Sequence, residues 1–196
     1  MNIEKTIKNF ELRGYSVKHF ATGAETVEYL ASQIKDTTVG IGGCMTAKQI
    51  GLYERLCEKN EVFWHWVNHD PDITDKENSA AVYITGANAI SEDGEILNID
   101  GTGNRLAGQV YGEKKLYVIA SVSKICPDFN SALYRARNVA AVRNCARFTD
   151  KTPCAIDGKC HDCRAKERIC HALLVLWAPM NGMESEVILI DEELGF

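Results

Sequence analysis

The chain has 196 residues, of which 45% are hydrophobic and 25% are charged, a balance typical of a globular protein with a substantial core. Its formal net charge of −5 provides no basic field for nucleic acid. No apolar run is long enough for a membrane span, and the N-terminus lacks a signal-peptide pattern, so the sequence predicts a soluble, cytoplasmic protein with neither membrane nor nucleic-acid partners.

Helix and strand patterns alternate through the first half of the chain. Thr22 and Glu25 form a capping box, which marks a helix start. The predicted elements, in chain order, are a helix over 3–13, a strand over 15–20, a helix over 22–33, a strand over 39–43, a helix over 46–59, a strand over 62–67, a polar loop over 68–79 and a strand over 81–85.

The second half continues this alternation and adds a local hairpin, signalled by Asp93-Gly94. Its predicted elements are the hairpin strands 87–90 and 96–99, a helix ending at 111, a strand over 115–121, a long helix over 128–147, and strands over 172–177 and 186–190. The alternation predicts an α/β fold with a mostly parallel sheet flanked by helices, in a single domain spanning 1–196.

Four cysteines are concentrated near the C-terminus, with the spacing C-x5-C-x2-C-x6-C: Cys154, Cys160, Cys163 and Cys170. Clustered cysteines in a reducing compartment are more often metal ligands than disulfides, so residues 152–171 are predicted to form a metal loop. Free thiols or disulfides are the alternative. The scattered cysteines, Cys44, Cys57, Cys126 and Cys145, are expected mostly in the core.

The spacing resembles the compact cluster loop of the endonuclease III class of DNA glycosylases. That similarity favours a [4Fe–4S] cluster over zinc, and the basic neighbours Lys159, Arg164, Lys166 and Arg168 would offset the charge of a tetrathiolate cluster. Spacing alone does not separate iron–sulfur from zinc, and His161 or His171 could replace one ligand.

Two glycine-rich loops are candidate ligand sites. Residues 40–46, GIGGCMT, follow a strand and precede a helix, where backbone N–H groups favour an anion. The loop matches no nucleotide motif, and a tight strand–helix connection explains it equally well. Cys44 would be a reactive thiol if exposed and a packing residue if buried.

The second loop, 98–105, has the sequence NIDGTGNR and combines carboxylate, hydroxyl, amide and guanidinium groups. Arg105 could hold a carboxylate or phosphate, and Asp100 could act as a general base. The alternative is an Asx turn with Arg105 in a surface salt bridge. Glu92 is a weaker catalytic candidate, and His65 is expected to be structural.

Residues 40–46, 85–94 and 98–105 together resemble the LUD-domain family, which includes the lactate-utilisation protein C group, and the resemblance spans about residues 5–196. It implies a fold like that of the ribose-phosphate isomerase, glucosamine-phosphate deaminase and CoA-transferase group, with substrate bound at glycine-rich turns. It implies these substrate-binding residues: Gly42, Gly43, Cys44, Thr46, Asn88, Asp100, Gly101, Thr102, Gly103, Asn104 and Arg105. The family commonly has serine where this chain has Cys44.

These observations favour a protein that binds a small anionic metabolite and carries a four-cysteine metal or Fe–S centre, in lactate or organic-acid utilisation. Lactate-utilisation members of the family work beside Fe–S partner proteins. The alternatives are a non-enzymatic redox or iron sensor or accessory subunit, and a domain with purely structural zinc. Enzymatic activity, the substrate and a homo-oligomeric state are left open by the sequence.

Overall fold

A computed structural model describes the whole chain, residues 1–196. Its α-helices are α1 (Ile3–Leu12), α2 (Gly23–Gln33), α3 (Met45–Gln49), α4 (Leu52–Cys57), α5 (Ile73–Ser79), α6 (Asn104–Val110), α7 (Phe129–Arg135), α8 (Ala141–Cys145) and α9 (Pro153–Asp157). Its strands are β1 (Ser16–Phe20), β2 (Thr38–Ile41), β3 (Glu61–Phe63), β4 (Val82–Gly86), β5 (Ala89–Ser91), β6 (Ile96–Asp100), β7 (Lys115–Ser121), β8 (Ile125–Cys126), β9 (Ala172–Leu176) and β10 (Glu184–Ile190).

Six strands form one parallel sheet in the order β1-β10-β7-β4-β2-β3. Helices cover this sheet, so the predicted α/β architecture with a mostly parallel sheet is confirmed. The central strands are apolar on both faces, as strands buried on both sides must be. In β10, Val187 and Leu189 pack into one apolar cluster, whereas Ile188 and Ile190 pack into the other.

Four further strands form a second, mixed sheet in the order β8-β5-β6-β9. The predicted hairpin is confirmed, since β5 and β6 pair antiparallel on either side of Gly94. The sequence did not separate the last two long strands, which belong to different sheets: β9 pairs with β6, and β10 pairs with β1 and β7. Loop 100–105 continues directly from the second sheet, since β6 ends at Asp100.

Three predicted elements differ from the structure. The helix expected over 46–59 is broken into α3 and α4, because Gly51 adopts a left-handed conformation with φ of +69°. The strand expected over 62–67 ends at Phe63. The region expected to be a polar loop contains α5, whose Ile73 and Glu77 side chains are buried and hold it against the sheet. Polar composition concealed that helix because tertiary contacts stabilise it.

The long helix predicted over 128–147 forms as α7, a π-helical segment over 136–140, and α8. After it, α9 is followed by irregular chain as far as β9. No residue from 153 to 175 is buried, although the segment is 23 residues long. Irregular segments longer than about 12–15 residues are uncommon in compact domains and are usually either functional or linker segments. None of the helices has the length and apolarity needed to cross a lipid bilayer.

Candidate functional site

A cavity of about 610 Å³ opens beside the carboxyl ends of β2, β4 and β7. This is where open parallel sheets commonly bind ligands, because the loops that leave the strands converge there. Both glycine-rich loops reach its wall. Of the eleven residues predicted to bind substrate, nine line it: Gly43, Cys44, Thr46, Asn88, Asp100, Gly101, Thr102, Asn104 and Arg105. Gly42 and Gly103 are outside the lining, and the Gly42 N–H donates to the Ile84 carbonyl.

Arg105 links the two loops. Its Nη2 donates to the Ile99 carbonyl at 2.6 Å and lies 3.5 Å from Asn88 Oδ1, while Nη1 lies 3.4 Å from the Gly43 carbonyl. Only 14% of the side chain is exposed. A guanidinium held by carbonyls keeps its full positive charge, so Arg105 places a largely buried cation in the cavity wall.

Asp100 shapes the turn of the second loop. Its Oδ1 accepts hydrogen bonds from the N–H groups of Gly101 at 2.7 Å and Thr102 at 3.3 Å, which is an Asx turn. The other oxygen, Oδ2, is buried without a hydrogen-bond partner and lies 3.7 Å from Arg105 Nε. Asp100 therefore has the structural role that the sequence left open, and its second oxygen makes no hydrogen bond within the protein.

In the first loop, Cys44 and Thr46 are almost completely buried. The Cys44 thiol accepts a hydrogen bond from the Ala47 N–H and begins α3, and burial raises its pKa above the ordinary value. An activated thiol at this position is therefore not supported, and the structure favours the packing alternative. Thr46 Oγ1 has no partner in the protein, which leaves a buried hydroxyl in the cavity wall.

Lys124 also lines the cavity, and no sequence pattern identified it. It follows β7, is only 4% exposed, and donates from Nζ to the Ala87 carbonyl at 3.1 Å. Burial, assisted by the cations Arg135 and Arg105, lowers its pKa to about 8, although Cys44 opposes this shift. A lysine in the segment Ser121-Val122-Ser123-Lys124 has no sequence signal, because its burial arises from contacts distant in the chain.

An aromatic group forms another side of the cavity. The Arg147 guanidinium lies 4.9 Å from the centre of the Trp66 ring and 5.5 Å from that of Phe196. His65 also reaches the cavity, and its Nδ1 lies 2.7 Å from the carboxylate of buried Glu77, as expected for a structural histidine. The site thus has an aromatic and cationic side, which adjoins the first glycine loop, since a Cβ on Gly43 would lie 3.4 Å from the Trp66 ring.

Glu92, the second predicted catalytic residue, is not brought to this cavity. Its carboxylate accepts a hydrogen bond from the Asn2 N–H at 2.8 Å and pairs with Lys5, so it holds the N-terminal helix. Burial alone would raise the pKa of Glu92, but these contacts outweigh burial and lower the pKa overall. Its position supports a structural role.

The cysteine segment, residues 152–171, borders a second cavity, of about 350 Å³. Its lining contains five cysteines: Cys145, Cys154, Cys160, Cys163 and Cys170. Cys145 is 1% exposed and was expected in the core, yet its thiol lies 3.1 Å from Thr152 Oγ1, which is also 3.5 Å from the Cys154 thiol. The sequence spacing could not reveal this fifth thiol, because it comes from α8.

All eight cysteines are free thiols in this structure. No three His, Cys, Asp or Glu side chains converge closely enough to hold a single metal ion. The thiols surround a common space but remain too far apart for bonds of about 2.3 Å to one zinc. Burial raises the pKa of the Cys170 thiol to about 11. Cysteine sulfurs are suitable ligands for a soft metal or a cluster. Their present separation means that the segment 152–171 would have to move before they could bind one ion.

The two cavities share a wall. Six residues line both of them: Ile99, Ala141, Arg168, Ile169, Cys170 and His171. The His171 N–H donates to the Asp100 carbonyl at 2.9 Å, and a Cβ on Gly101 would lie 2.7 Å from the Ile169 carbonyl oxygen. The cysteine segment is thus in direct backbone contact with the second glycine loop.

Comparison with known proteins identifies a family and a shared fold. The family model described as LUD domain matches residues 3–190. A crystal structure of a DUF162 family protein from Deinococcus radiodurans is similar over 97% of this chain and 99% of that chain, with a TM-score of 0.56 and 13% identity. At this identity the likeness shows a shared fold alone. No curated protein sequence matches the chain.

Proposed function

Because this chain belongs to the LUD-domain family, we propose that it binds a small anionic metabolite, a carboxylate or a phosphate, between its two glycine-rich loops. The observation that carries this proposal is the charge of the larger cavity. Arg105, Lys124, Arg147 and Arg168 line it, against the single carboxylate of Asp100. This positive surplus occurs in a protein whose net charge is −5, so it is local to the cavity.

Arg105 is the residue best placed to hold the anion. Its largely buried guanidinium interacts more strongly with a ligand than a surface arginine does, because solvent screens it less. Thr46 offers a buried hydroxyl with no other partner. The volume of the cavity also leaves room for an organic body beside Trp66 and Phe196, and the family resemblance favours an organic acid over inorganic phosphate.

Calorimetric titration of the full chain with pyruvate, and separately with inorganic phosphate, tests the proposal. Arg105→Ala should weaken binding at least about tenfold, since a hydrogen-bonded charge is worth about 1.5–3 kcal/mol. The matched control is Arg55→Ala, which removes a surface arginine paired with Glu28 and Glu58. Equal affinity in wild type and Arg105→Ala would show that the anion site has been misassigned.

We further infer that the cysteine segment holds a metal centre, with [4Fe–4S] favoured over zinc. Cys154, Cys160, Cys163 and Cys170 would supply the thiolates, and the proposal is supported by their position around one cavity. A cluster places its four sulfur ligands farther apart than one zinc ion does, so it needs less movement of the segment. Metal bonds would also stabilise 23 residues that contain no buried side chain.

Elemental analysis and the visible spectrum of anaerobically purified protein discriminate between the metals. Iron with a broad charge-transfer absorption supports the cluster, whereas zinc without that absorption supports a structural site. Cys163→Ser should abolish loading, and Cys57→Ser, on the exposed side of α4, should not. If the anaerobically purified protein contains no metal and takes up none on reconstitution, the metal centre is overturned.

The alternative is an accessory or sensor protein without turnover, and the common wall between the cavities is the observation that favours it. The cysteine segment and the second glycine loop are in backbone contact, so a ligand at one and a metal at the other could report on each other without any reaction. Assay of the reconstituted protein with L-lactate and an artificial electron acceptor separates the two: turnover supports an enzyme, and ligand binding without turnover supports the accessory role.

A further inference from the structure

We propose that Lys124 is a nucleophilic amine that forms an imine with an anionic 2-oxo acid bound in the larger cavity. The inference rests on the anion binding proposed above and adds covalent chemistry to it. The family comparison assigns no role to this residue. Four observations of its surroundings carry the argument: its burial, its partners, its place in the cavity and a second lysine that serves as a reference.

The ammonium form of Lys124 would be poorly satisfied. An ammonium group has three donors, and Nζ has only the Ala87 carbonyl as a hydrogen-bond acceptor. No carboxylate lies within ion-pair distance of it, and the nearby charged groups include the cations Arg105 and Arg135. A buried charge without an opposite charge is costly, so a larger share of Lys124 than of an exposed lysine is the neutral amine, whose lone pair is the nucleophile.

The surroundings of the amine also suit a 2-oxo acid. Arg105, on the wall of the same cavity, is placed to hold the carboxylate, and Lys124 lines that cavity as well, so the amine and the bound acid would share one space. The unpartnered Thr46 hydroxyl is close to the amine, since a Cβ on Gly195 would lie 2.6 Å from Nζ and 2.8 Å from Oγ1. That hydroxyl can donate to the carbonyl oxygen as negative charge develops on it.

The reaction balances without an oxidant or reductant. The nitrogen lone pair attacks the carbonyl carbon, and the carbonyl oxygen is protonated to give a carbinolamine. Loss of that oxygen as one water molecule, which carries both protons of the amine, leaves the C=N bond. Protonation of the imine nitrogen then makes the carbon an electron sink for bond breaking at the neighbouring carbon.

Lys114 provides the reference. It is also buried, at 8% exposure, it also donates to one backbone carbonyl, that of Asn78, and burial also lowers its pKa. It packs 5.5 Å from the centre of the Tyr83 ring and does not line the cavity. If burial alone made a lysine reactive toward 2-oxo acids, both residues would react, whereas an amine in the anion site predicts reaction at Lys124 only.

The experiment is reductive trapping of the full chain with pyruvate and cyanoborohydride, followed by peptide mass spectrometry. Lys124 should gain one reduced pyruvyl group at least about tenfold faster than any exposed lysine, because more of its amine is unprotonated at neutral pH. It should also react faster than Lys114, because Lys114 lies outside the anion site. Saturating sulfate should protect it. Lys124→Arg keeps the charge and should not be labelled, and Lys114→Arg should be labelled as wild type.

The outcomes separate the two proposals. If sulfate binds in an Arg105-dependent manner and Lys124 remains unlabelled, the imine is overturned and the anion site stands. If Lys124 is labelled but sulfate gives no protection, the amine reacts outside the anion site, which also overturns the inference. If sulfate and pyruvate do not bind, both proposals fail. Lys124→Met, a neutral side chain of similar length, replaces the arginine variant if that variant does not fold.

Discussion

Asp100 Oδ2 lies 3.7 Å from Arg105 Nε and accepts no hydrogen bond, so the two side chains interact through charge alone. The same aspartate fixes its turn through its other oxygen. The two oxygens of Asp100 thus have different surroundings: Oδ1 fixes the turn, and Oδ2 lies near Arg105. They belong to the one side-chain carboxylate in a cavity with a surplus of positive charge. An incoming anion has to interact with both members.

Asp100→Asn should increase sulfate affinity about fivefold, on the order of 1 kcal/mol, because it removes the only carboxylate of the cavity. Asparagine retains an oxygen that can accept from the Gly101 N–H, so the turn should persist. Calorimetric titration measures the effect, and Asp93→Asn, an exposed carboxylate paired with Lys5, is the control. Weaker sulfate binding in Asp100→Asn would contradict the prediction, because it would show that the Asp100 carboxylate favours anion binding.

The rate of pyruvate trapping at Lys124 should rise with pH, pass half of its maximum near pH 8 and level off about one pH unit higher. Burial lowers the pKa of Lys124 to about 8, assisted by Arg135 and Arg105 and opposed by Cys44, so half of the amine is neutral at that pH. Sulfate affinity should fall over the same interval, since one cation of the cavity loses its charge. Lys114→Arg should leave both profiles unchanged. A labelling rate that continues to rise toward about pH 10.4, as for an ordinary lysine, contradicts this prediction.

Metal loading should protect the cysteine segment from trypsin. Lys159, Arg164 and Lys166 are exposed in a region without buried side chains, so the metal-free chain should be cut there first. Metal bonds would hold this segment and slow cleavage at least about tenfold. Cys163→Ser should stay sensitive after reconstitution, and Cys57→Ser should be protected as wild type. Mass spectrometry of the fragments identifies the sites, and equal cleavage rates with and without metal would argue against a centre in this loop.

Gly101→Ala should separate the second glycine loop from the cysteine segment. A Cβ at this position would lie 2.7 Å from the Ile169 carbonyl oxygen, which is backbone and cannot simply rotate away. The substitution should cost about 1–3 kcal/mol in the free energy of unfolding and weaken pyruvate binding. Thr102→Ala, which places the same alanine side chain at the neighbouring exposed position, controls for a general effect of substitution in this loop. Urea unfolding and titration measure the two effects, and wild-type values for both would show that the contact is dispensable.

Local signals predicted much of the fold. The capping box of Thr22 and Glu25 begins α2 as expected, and the Gly94 hairpin forms between β5 and β6. Where prediction failed, distant contacts decided the structure. Helix α5 exists because Ile73 and Glu77 are buried against other elements, which its polar sequence does not indicate. Gly51 was visible in the sequence, but only its positive φ shows that it breaks the helix.

The candidate site follows the same rule. The glycine loops were recognisable because their residue types are clustered in sequence, and nine of the eleven selected residues line one cavity. Lys124 and Cys145 were not recognisable, because each is a single residue whose meaning depends on what folds around it. The pKa of Lys124 depends on its burial and on the cations near it. Cys145 joins the candidate metal site only because thiols from a separate segment line the same cavity.

The hydrogen bond from His171 to Asp100 joins the wall of one cavity to the wall of the other. Two binding events that deform the same few residues cannot be thermodynamically independent. If both proposed ligands bind, any change that one makes in the binding free energy of the other must be returned with the same sign and size. A dissociation constant measured at one cavity would then be defined only when the occupancy of the other cavity is stated, and neither cavity would be described by a single value.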